Sequence, residues 1–181
     1  DDVIRAFYNV CRHRGTAVEE RECGKAVRFQ CPYHAWIYDL DGSLVRAKHT
    51  EDLEDFSFGT FGLTEIRCET WGGFVFVNFD AGAIPLEQYL EVVPDHFSRW
   101  RLEDCWKSVH VAKVIRCNWK VAQEAFMESY HVIATHPQIL SIIADANSQY
   151  DLYGPHVSRN IAAFGAPSPH LGGGKVDPQQ T

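Results

Sequence analysis

The sequence predicts an α+β fold in two parts, an all-β stretch followed by a helix-bearing one, and three observations carry that prediction. Up to about residue 80 the chain is written in short alternating runs separated by turn residues, the pattern of strands and hairpins. Asp80-Ala81-Gly82-Ala83-Ile84-Pro85 then breaks the pattern and reads as a boundary. Beyond it, Asn118 to about His136 spaces its apolar and charged residues as a helix does.

The elements follow in order. Val3, Ile4, Ala6 and Tyr8 belong to a strand already under way at the first residue. Val27 to Cys31 alternates, Trp36-Ile37-Tyr38 continues, and Asp39-Leu40-Asp41-Gly42 is a turn. Trp71-Gly72-Gly73 is a glycine bend leading into the apolar run Phe74 to Phe79. Leu86 to Trp100 has helical character broken by Pro94, and Trp106 to Arg116 alternates through Val109, Val111 and Val114 as a strand would. Asn118 is the expected N-cap of the next helix. Pro137 disfavours α conformation at His136, so that helix ends or distorts there. Past Asp145 loops are expected, with Arg159 to Phe164 as a strand. The opening inside a strand without a Met, and the Gly/Pro-rich close from Gly172 to Thr181, read as a fragment cut at both ends.

Composition narrows the function classes. A hydrophobic content of 45% is that of an ordinary packed domain. The net charge of -7 offers no basic stripe for nucleic acid. No apolar run approaches the roughly 20 residues of a membrane span, and no signal peptide is visible. Of six cysteines, Cys23, Cys68, Cys105 and Cys117 stand singly, a usage that suits a reducing, cytoplasmic setting better than a disulfide framework.

Two constellations carry chemistry. The first is Cys11-Arg12-His13, then seventeen residues, then Cys31-Pro32-Tyr33-His34. Thiolates and imidazoles suit soft and borderline metals. A structural Cys2His2 zinc site is one reading, but zinc fingers usually put two Cys on one knuckle and two His on the other. Here each knuckle holds one Cys and one His, which matches a Rieske [2Fe–2S] centre, with both Cys on one iron and both His on the other.

The second constellation is Glu128-Ser129-Tyr130-His131, four residues, then His136. On an ideal helix the two histidines would lie ~140° apart, so one metal can take both only if the helix breaks between them. Lys120, Glu124, Glu128 and His131 are spaced to share one helix face, which is equally the pattern of a solvated surface. Phe126, Met127, Ile139, Leu140, Ile142 and Ile143 suit either an apolar pocket or plain core packing.

Cys11-Arg12-His13-Arg14-Gly15 and Cys31-Pro32-Tyr33-His34-Ala35-Trp36, followed by Tyr38-Asp39-Leu40-Asp41-Gly42, resemble the Rieske domain of aromatic-ring-hydroxylating oxygenase α subunits. Asn118-Trp119-Lys120, Glu124, Glu128 to His131 and His136-Pro137 are similar to the mononuclear-iron segment of the same subunits. Three positions depart from the family pattern: Ala35 stands where Gly often follows the second Rieske His, Glu128 where Asp is commoner, and Ala125 where Asn is common.

The resemblance implies a β-sandwich-like Rieske domain over residues 1–82, truncated at its N-terminus, and the start of a helix-grip catalytic domain over residues 83–181, truncated at its C-terminus. It implies a [2Fe–2S] cluster held by Cys11, His13, Cys31 and His34, and an Fe(II) held by His131, His136 and a carboxylate further downstream. Glu128 would then be the electron bridge, joining His131 to His34 of a neighbouring subunit in a homotrimer or α3β3 assembly. The implied activity is O2-dependent hydroxylation, above all cis-dihydroxylation of an aromatic ring, with monooxygenation or demethylation using the same parts. Electrons would come from NAD(P)H through a reductase, with or without a ferredoxin. A Rieske ferredoxin, purely an electron carrier, is the alternative of a different class; it leaves Glu128 to His136 unexplained.

Overall fold

In a computed structural model, residues 3–172 are described, and the chain divides after Leu86 into two units. The first is built from short strands because its sequence changes character every few residues. β1 (Ala6–Phe7), β5 (Glu65–Trp71) and β6 (Phe74–Asn78) form one antiparallel sheet in the order β1-β5-β6. β2 (Phe29–Gln30), β3 (Ile37–Tyr38) and β4 (Leu44–Arg46) form a second, in sequence order. Gly72 and Gly73, at φ +57° and +82°, make the two-residue turn that lets Trp71 pair with Phe74; positive φ at both positions is the hairpin geometry that glycine supplies without strain. At the foot of this sheet the Glu69 carboxylate accepts from Arg67 Nε at 2.9 Å and from the Leu86 N–H at 3.1 Å, fixing the chain where it leaves the unit.

The core of this unit is small and sulfur-rich: Cys11, Val18, Cys31, Trp36, Tyr38, Leu44 and Ala47, with Phe29, Phe56, Phe61 and Leu63 packed against it. Aromatic packing is directional here. Trp36 meets Phe56 and Phe61 edge-on at 5.8 Å each, while those two stack at 4.9 Å.

The second unit departs from expectation in several places. Pro94 does not break a long helix. α1 (Leu86–Leu90) stops at Glu91, which takes φ +50°, and Pro94 sits in the first turn of α2 (Val93–Phe97), where its missing N–H costs nothing. The segment from Trp106 to Arg116 forms no strand; Trp106, Val109, Val111, Val114 and Ile115 are all exposed. Alternation makes a chain fit for a sheet, but among the described residues no edge pairs with it. The region past Asp145, expected as loops, instead carries β7 (Ile143–Tyr153), paired antiparallel with β8 (Val157–Phe164), of which only the second strand was legible. Polar residues interrupt β7 and hide its alternation.

That β-ribbon is clamped near its tip by Asp151. Its carboxylate accepts from Gln149 Nε2 at 2.9 Å, from Arg159 Nε at 2.8 Å and from Arg159 Nη2. These bonds, Gln149's first and Arg159's next, hold the Asp151 carboxyl below its ordinary value of 3.8. Folding thus favours the ionised form, so this stabilisation is complete above the unfolded value and drains away as pH falls through the depressed folded value. Asp151→Asn should therefore be less stable near neutrality and show a flatter decline in thermal midpoint below about pH 4; an acid limb identical to wild type would remove Asp151 from the account.

Candidate metal centres

The two Cys/His knuckles are built alike. The Cys11 N–H donates to the Thr16 carbonyl at 2.8 Å, and the Cys11 carbonyl accepts from the Gly15 N–H at 2.9 Å. The Cys31 N–H donates to the Trp36 carbonyl at 2.8 Å, and the Cys31 carbonyl accepts from the Ala35 N–H at 3.1 Å. Each loop closes through a residue in the left-handed region, Gly15 at φ +77° and Ala35 at φ +56°. Left-handed backbone costs an L-residue ~1–2 kcal/mol, which glycine avoids at some cost in unfolded-state entropy. Ala35→Gly should therefore raise stability by roughly 0.5–1 kcal/mol, read as a higher denaturant midpoint at unchanged slope. A loss of stability would mean that the Ala35 methyl is needed.

The knuckles send sulfur inward and imidazole outward. Cys11 and Cys31 are each 2% exposed, whereas His13 and His34 lie at the surface with ring centroids 4.5 Å apart. His13 stacks on Trp36 at 4.9 Å, which fixes its plane. Partial burial, then the neighbouring His34 and Arg14, hold the His13 imidazole below its ordinary value, favouring the neutral ring a metal requires. Tyr38, fully buried, accepts from the Arg12 N–H at 3.1 Å and places its hydroxyl 3.2 Å from Cys11 Sγ. Burial, and then the Cys11 contact, push the Tyr38 phenol up, so it stays a donor toward that sulfur. Sequence reading passed Tyr38 over as part of a motif; its place one strand from the cysteines is visible only once β3 forms.

These residues fit a [2Fe–2S] cluster. All six cysteines are free, and two of them form a buried soft-ligand pair beneath an exposed imidazole pair. Among the described residues no three His, Cys, Asp or Glu gather to hold a single ion.

The second constellation depends on a broken helix. α3 (Trp119–Glu124) starts as expected, with Asn118 Oδ1 accepting from the Lys120 N–H at 3.0 Å. It stops after Glu124, so Glu124, Glu128 and His131 do not share one continuous helical face. A one-turn helix, α4 (Val132–Thr135), follows, with His131 as its N-cap and His136 as its C-cap. His136 takes φ −126° and ψ 50°, off the helix, as Pro137 requires. The two rings therefore meet, at 5.3 Å between centroids, despite a spacing that a straight helix would splay apart.

Glu128 grips His131 twice: Oε2 accepts from the His131 N–H at 3.1 Å, and Oε1 contacts Nδ1. The side-chain bond to His131 is the main reason the Glu128 carboxyl lies below its ordinary value. With Nδ1–H engaged, Nε2 is the nitrogen left for a metal. Ser129, next in sequence, ties this turn to β7. Its N–H donates to Tyr150 Oη at 3.1 Å and its hydroxyl to the Asp145 carbonyl at 3.0 Å. Ser129 and Tyr150 were not singled out from the sequence, and Asp145 was set aside for want of a motif, because nothing local marks a serine and a distant strand as partners.

His131 also lines a cavity of about 550 Å³ with Ser129, Ile133, Asp145, Tyr150 and His170. None of the six apolar residues that suited either a pocket or plain core packing lines it; Leu140 is buried in the core, and Phe126 is 86% exposed. No carboxylate joins His131 and His136 in a three-ligand group among the described residues. Two imidazoles with one ring oriented by a carboxylate fit part of an Fe(II) site, lacking one anionic ligand.

The comparisons with known proteins agree with both halves. Residues 1–57 match the Rieske [2Fe-2S] domain, and residues 94–180 match the catalytic domain of ring-hydroxylating α subunits. The chain belongs to the Rieske oxygenase α-subunit family, whose members bind a [2Fe–2S] cluster and a mononuclear iron. It is 38% identical over 145 residues to the carnitine monooxygenase oxygenase subunit of Escherichia coli K12, covering 76% of this chain and 37% of that protein. It is 33% identical over 142 residues to the glycine betaine monooxygenase oxygenase subunit of Pseudomonas aeruginosa UCBPP-PA14, covering 78% and 33%. The large oxygenase component of the 2,4-dinitrotoluene dioxygenase system of Burkholderia sp. RASC matches at 37% over 152 residues, covering 77% and 33%. A solved quaternary ammonium Rieske monooxygenase superposes with a TM-score of 0.74 at 30% identity, covering 82% of this chain and 41% of that one. The chain thus spans about a third of the length of these curated relatives.

Proposed function

We propose that this chain supplies the Rieske site and two of the three iron ligands of an oxygenase that inserts oxygen from O2 into a small organic substrate. The observation that carries the reading is the Glu128–His131–His136 arrangement, a histidine pair brought together by a one-turn helix with one ring held by a carboxylate. Cys11, His13, Cys31 and His34 would hold the [2Fe–2S] cluster, which supplies one electron at a time. His131 and His136 would hold Fe(II), which activates O2, with the third ligand a carboxylate in the remainder of the protein. Glu128 keeps the proton on His131 Nδ1 and leaves Nε2 as donor. In an assembly its carboxylate would also receive His34 of the next subunit, linking the two centres. A related solved structure, associated with carnitine oxidation, is described in terms of inter-subunit electron transfer, which supports this role. A trimer, α3 or α3β3, in a reducing cytoplasmic setting, fed by a reductase with or without a ferredoxin, completes the reading. Among the described residues no helix is long and apolar enough to cross a membrane.

Two outcomes use the same parts. Arene cis-dihydroxylation places both oxygen atoms in the product, and the similarity to a dinitrotoluene dioxygenase component supports it. Monooxygenation places one atom in the product and one in water. The similarity to subunits acting on glycine betaine and carnitine favours this second reading, with oxidation at a carbon beside a quaternary nitrogen. Full-length protein with its reductase, supplied with 18O2, separates them. One labelled atom in an aldehyde split from an amine is the expected product, two in a diol would return the arene reading, and iron-loaded protein that reduces its cluster but never consumes O2 would make it an electron carrier.

A further inference from the structure

The turn that carries the two histidines is tied by hydrogen bonds to the rest of its unit at a single residue. Among the described residues, Ser129 is the one member of 128–136 whose hydrogen bonds reach a distant strand; the others close on residues no further along than Ile139. Ser129 is 8% exposed. It stands between Glu128, which orients the His131 ring, and α4, where the Val132 N–H donates to the Ser129 carbonyl at 3.1 Å.

The surface that receives Ser129 comes from an irregularity in the ribbon. Ala144 pairs with Ala163 and Gln149 with Ile161, so residues 145–148 stand opposite the single residue Ala162. Bulges of this kind re-aim side chains and are common beside active sites. This one gathers the Asp145 carbonyl, the Ser148 hydroxyl and, two residues on, the Tyr150 phenol around Ser129.

Counting protons fixes who donates. The Ser129 N–H donates to Tyr150 Oη at 3.1 Å, and the Ser129 hydroxyl to the Asp145 carbonyl at 3.0 Å. The 2.9 Å contact between Ser129 Oγ and Tyr150 Oη is then the phenol's own bond, given to the serine. Tyr150 thus accepts from the backbone of Ser129 and donates to its side chain, a two-point grip on one residue. Ser148 donates to the Asp145 carbonyl at 2.6 Å. Hydroxyls strung beside an iron that reduces O2 could also pass protons. These end on a backbone carbonyl, which has no proton to hand on, so they hold the turn rather than feed it.

We propose that Tyr150 is a positioning residue of the iron site, which through Ser129 sets where the Glu128 carboxylate and the His131 ring stand. The proposal rests on reading His131 and His136 as iron ligands. Tyr150 acts through the peptide that joins Glu128 to Ser129. Its side chain is half exposed, so Tyr150→Phe removes one oxygen without opening the core.

The test compares full-length, metal-loaded oxygenase component as wild type, Tyr150→Phe, Ser129→Ala and the double variant. Tyr153→Phe is the control, since it removes a phenol from the same strand that bonds Asp151 instead. Tyr150→Phe should keep its iron but change the line shape of the EPR signal that ferrous iron gives with nitric oxide. It should also slow product formation in a single turnover about tenfold, the low end of what lost support around metal ligands costs. The loss in the double variant should fall well short of the product of the two single losses, because both break one grip. In the same preparations, hydrogen exchange at the Ser129 amide should quicken in Tyr150→Phe and not in Tyr153→Phe. A wild-type nitric oxide signal in Tyr150→Phe, unchanged Ser129 exchange, losses that multiply, or an equal change in Tyr153→Phe would each overturn the proposal. The comparison of the two Phe variants stands even if Ser129→Ala does not fold. Failure of the oxygenase reading looks different: wild type itself would hold no mononuclear iron and give no nitric oxide signal.

Discussion

Glu128→Gln in the full-length protein should retain both the cluster and the iron and yet turn over about 10- to 100-fold more slowly or worse. The amide keeps one oxygen, which can still accept from Nδ1–H in place of Oε1, so the ring stays oriented and Nε2 stays available, while its NH2 cannot accept from the His131 N–H as Oε2 does. What it loses is the negative charge, and with it the second acceptor that would receive a histidine from a neighbouring subunit. The expected signature is normal iron content, a normal reduced-cluster spectrum, and a slow step between cluster oxidation and product formation in a single turnover. Glu128→Ala, which also frees the His131 ring, should lose iron as well. Unchanged turnover in the Gln variant would remove Glu128 from the electron route.

The second large effect concerns folding. Cys31→Ala should abolish the visible absorption of the cluster and destabilise the first unit far more than a single lost sulfur would. Cys11 and Cys31 are not appended to a finished core; they are two of its seven buried members. Tyr38 and Trp36 pack around the same spot, so the cluster would sit where other small domains place their central aliphatic residues. Ligation free energy is then folding free energy. Each kcal/mol lost moves the midpoint of a unit this size by ~4–8 °C, so the variant should melt well below Val18→Ala, which truncates the same core without touching the cluster. Hydrogen exchange should show loss of protection confined to residues up to Leu86. Equal midpoints for the two variants would mean that the unit folds independently of its metal.

The sequence was most readable where chemistry is local. The two Cys/His knuckles, the Asn118 cap and the turn at Asp39 to Gly42 each depend on a few adjacent residues, and the structure closes both loops, the cap and the turn by local hydrogen bonds. The broken helix was half legible: Pro137 announced the exit at His136, but the stop after Glu124 has no proline or glycine behind it. What stayed hidden depends on partners far along the chain. Tyr38 reaches Cys11 across twenty-seven positions and Tyr150 reaches Ser129 across twenty-one. The alternating segment from Trp106 shows the opposite failure, a strong local signal that nothing among the described residues completes.

The single turn between His131 and His136 has a consequence for how this stretch of chain can change. Side chains at Ile133, Ala134 and Thr135 can be exchanged while the backbone still delivers both rings to one point. Adding or deleting one residue would rotate His136 by ~100° about the axis and shift it by ~1.5 Å along it. The four-residue interval therefore works as a ruler, tolerant of spelling and intolerant of length, so insertions in this region belong before Asn118 or past Gly165, never between the histidines.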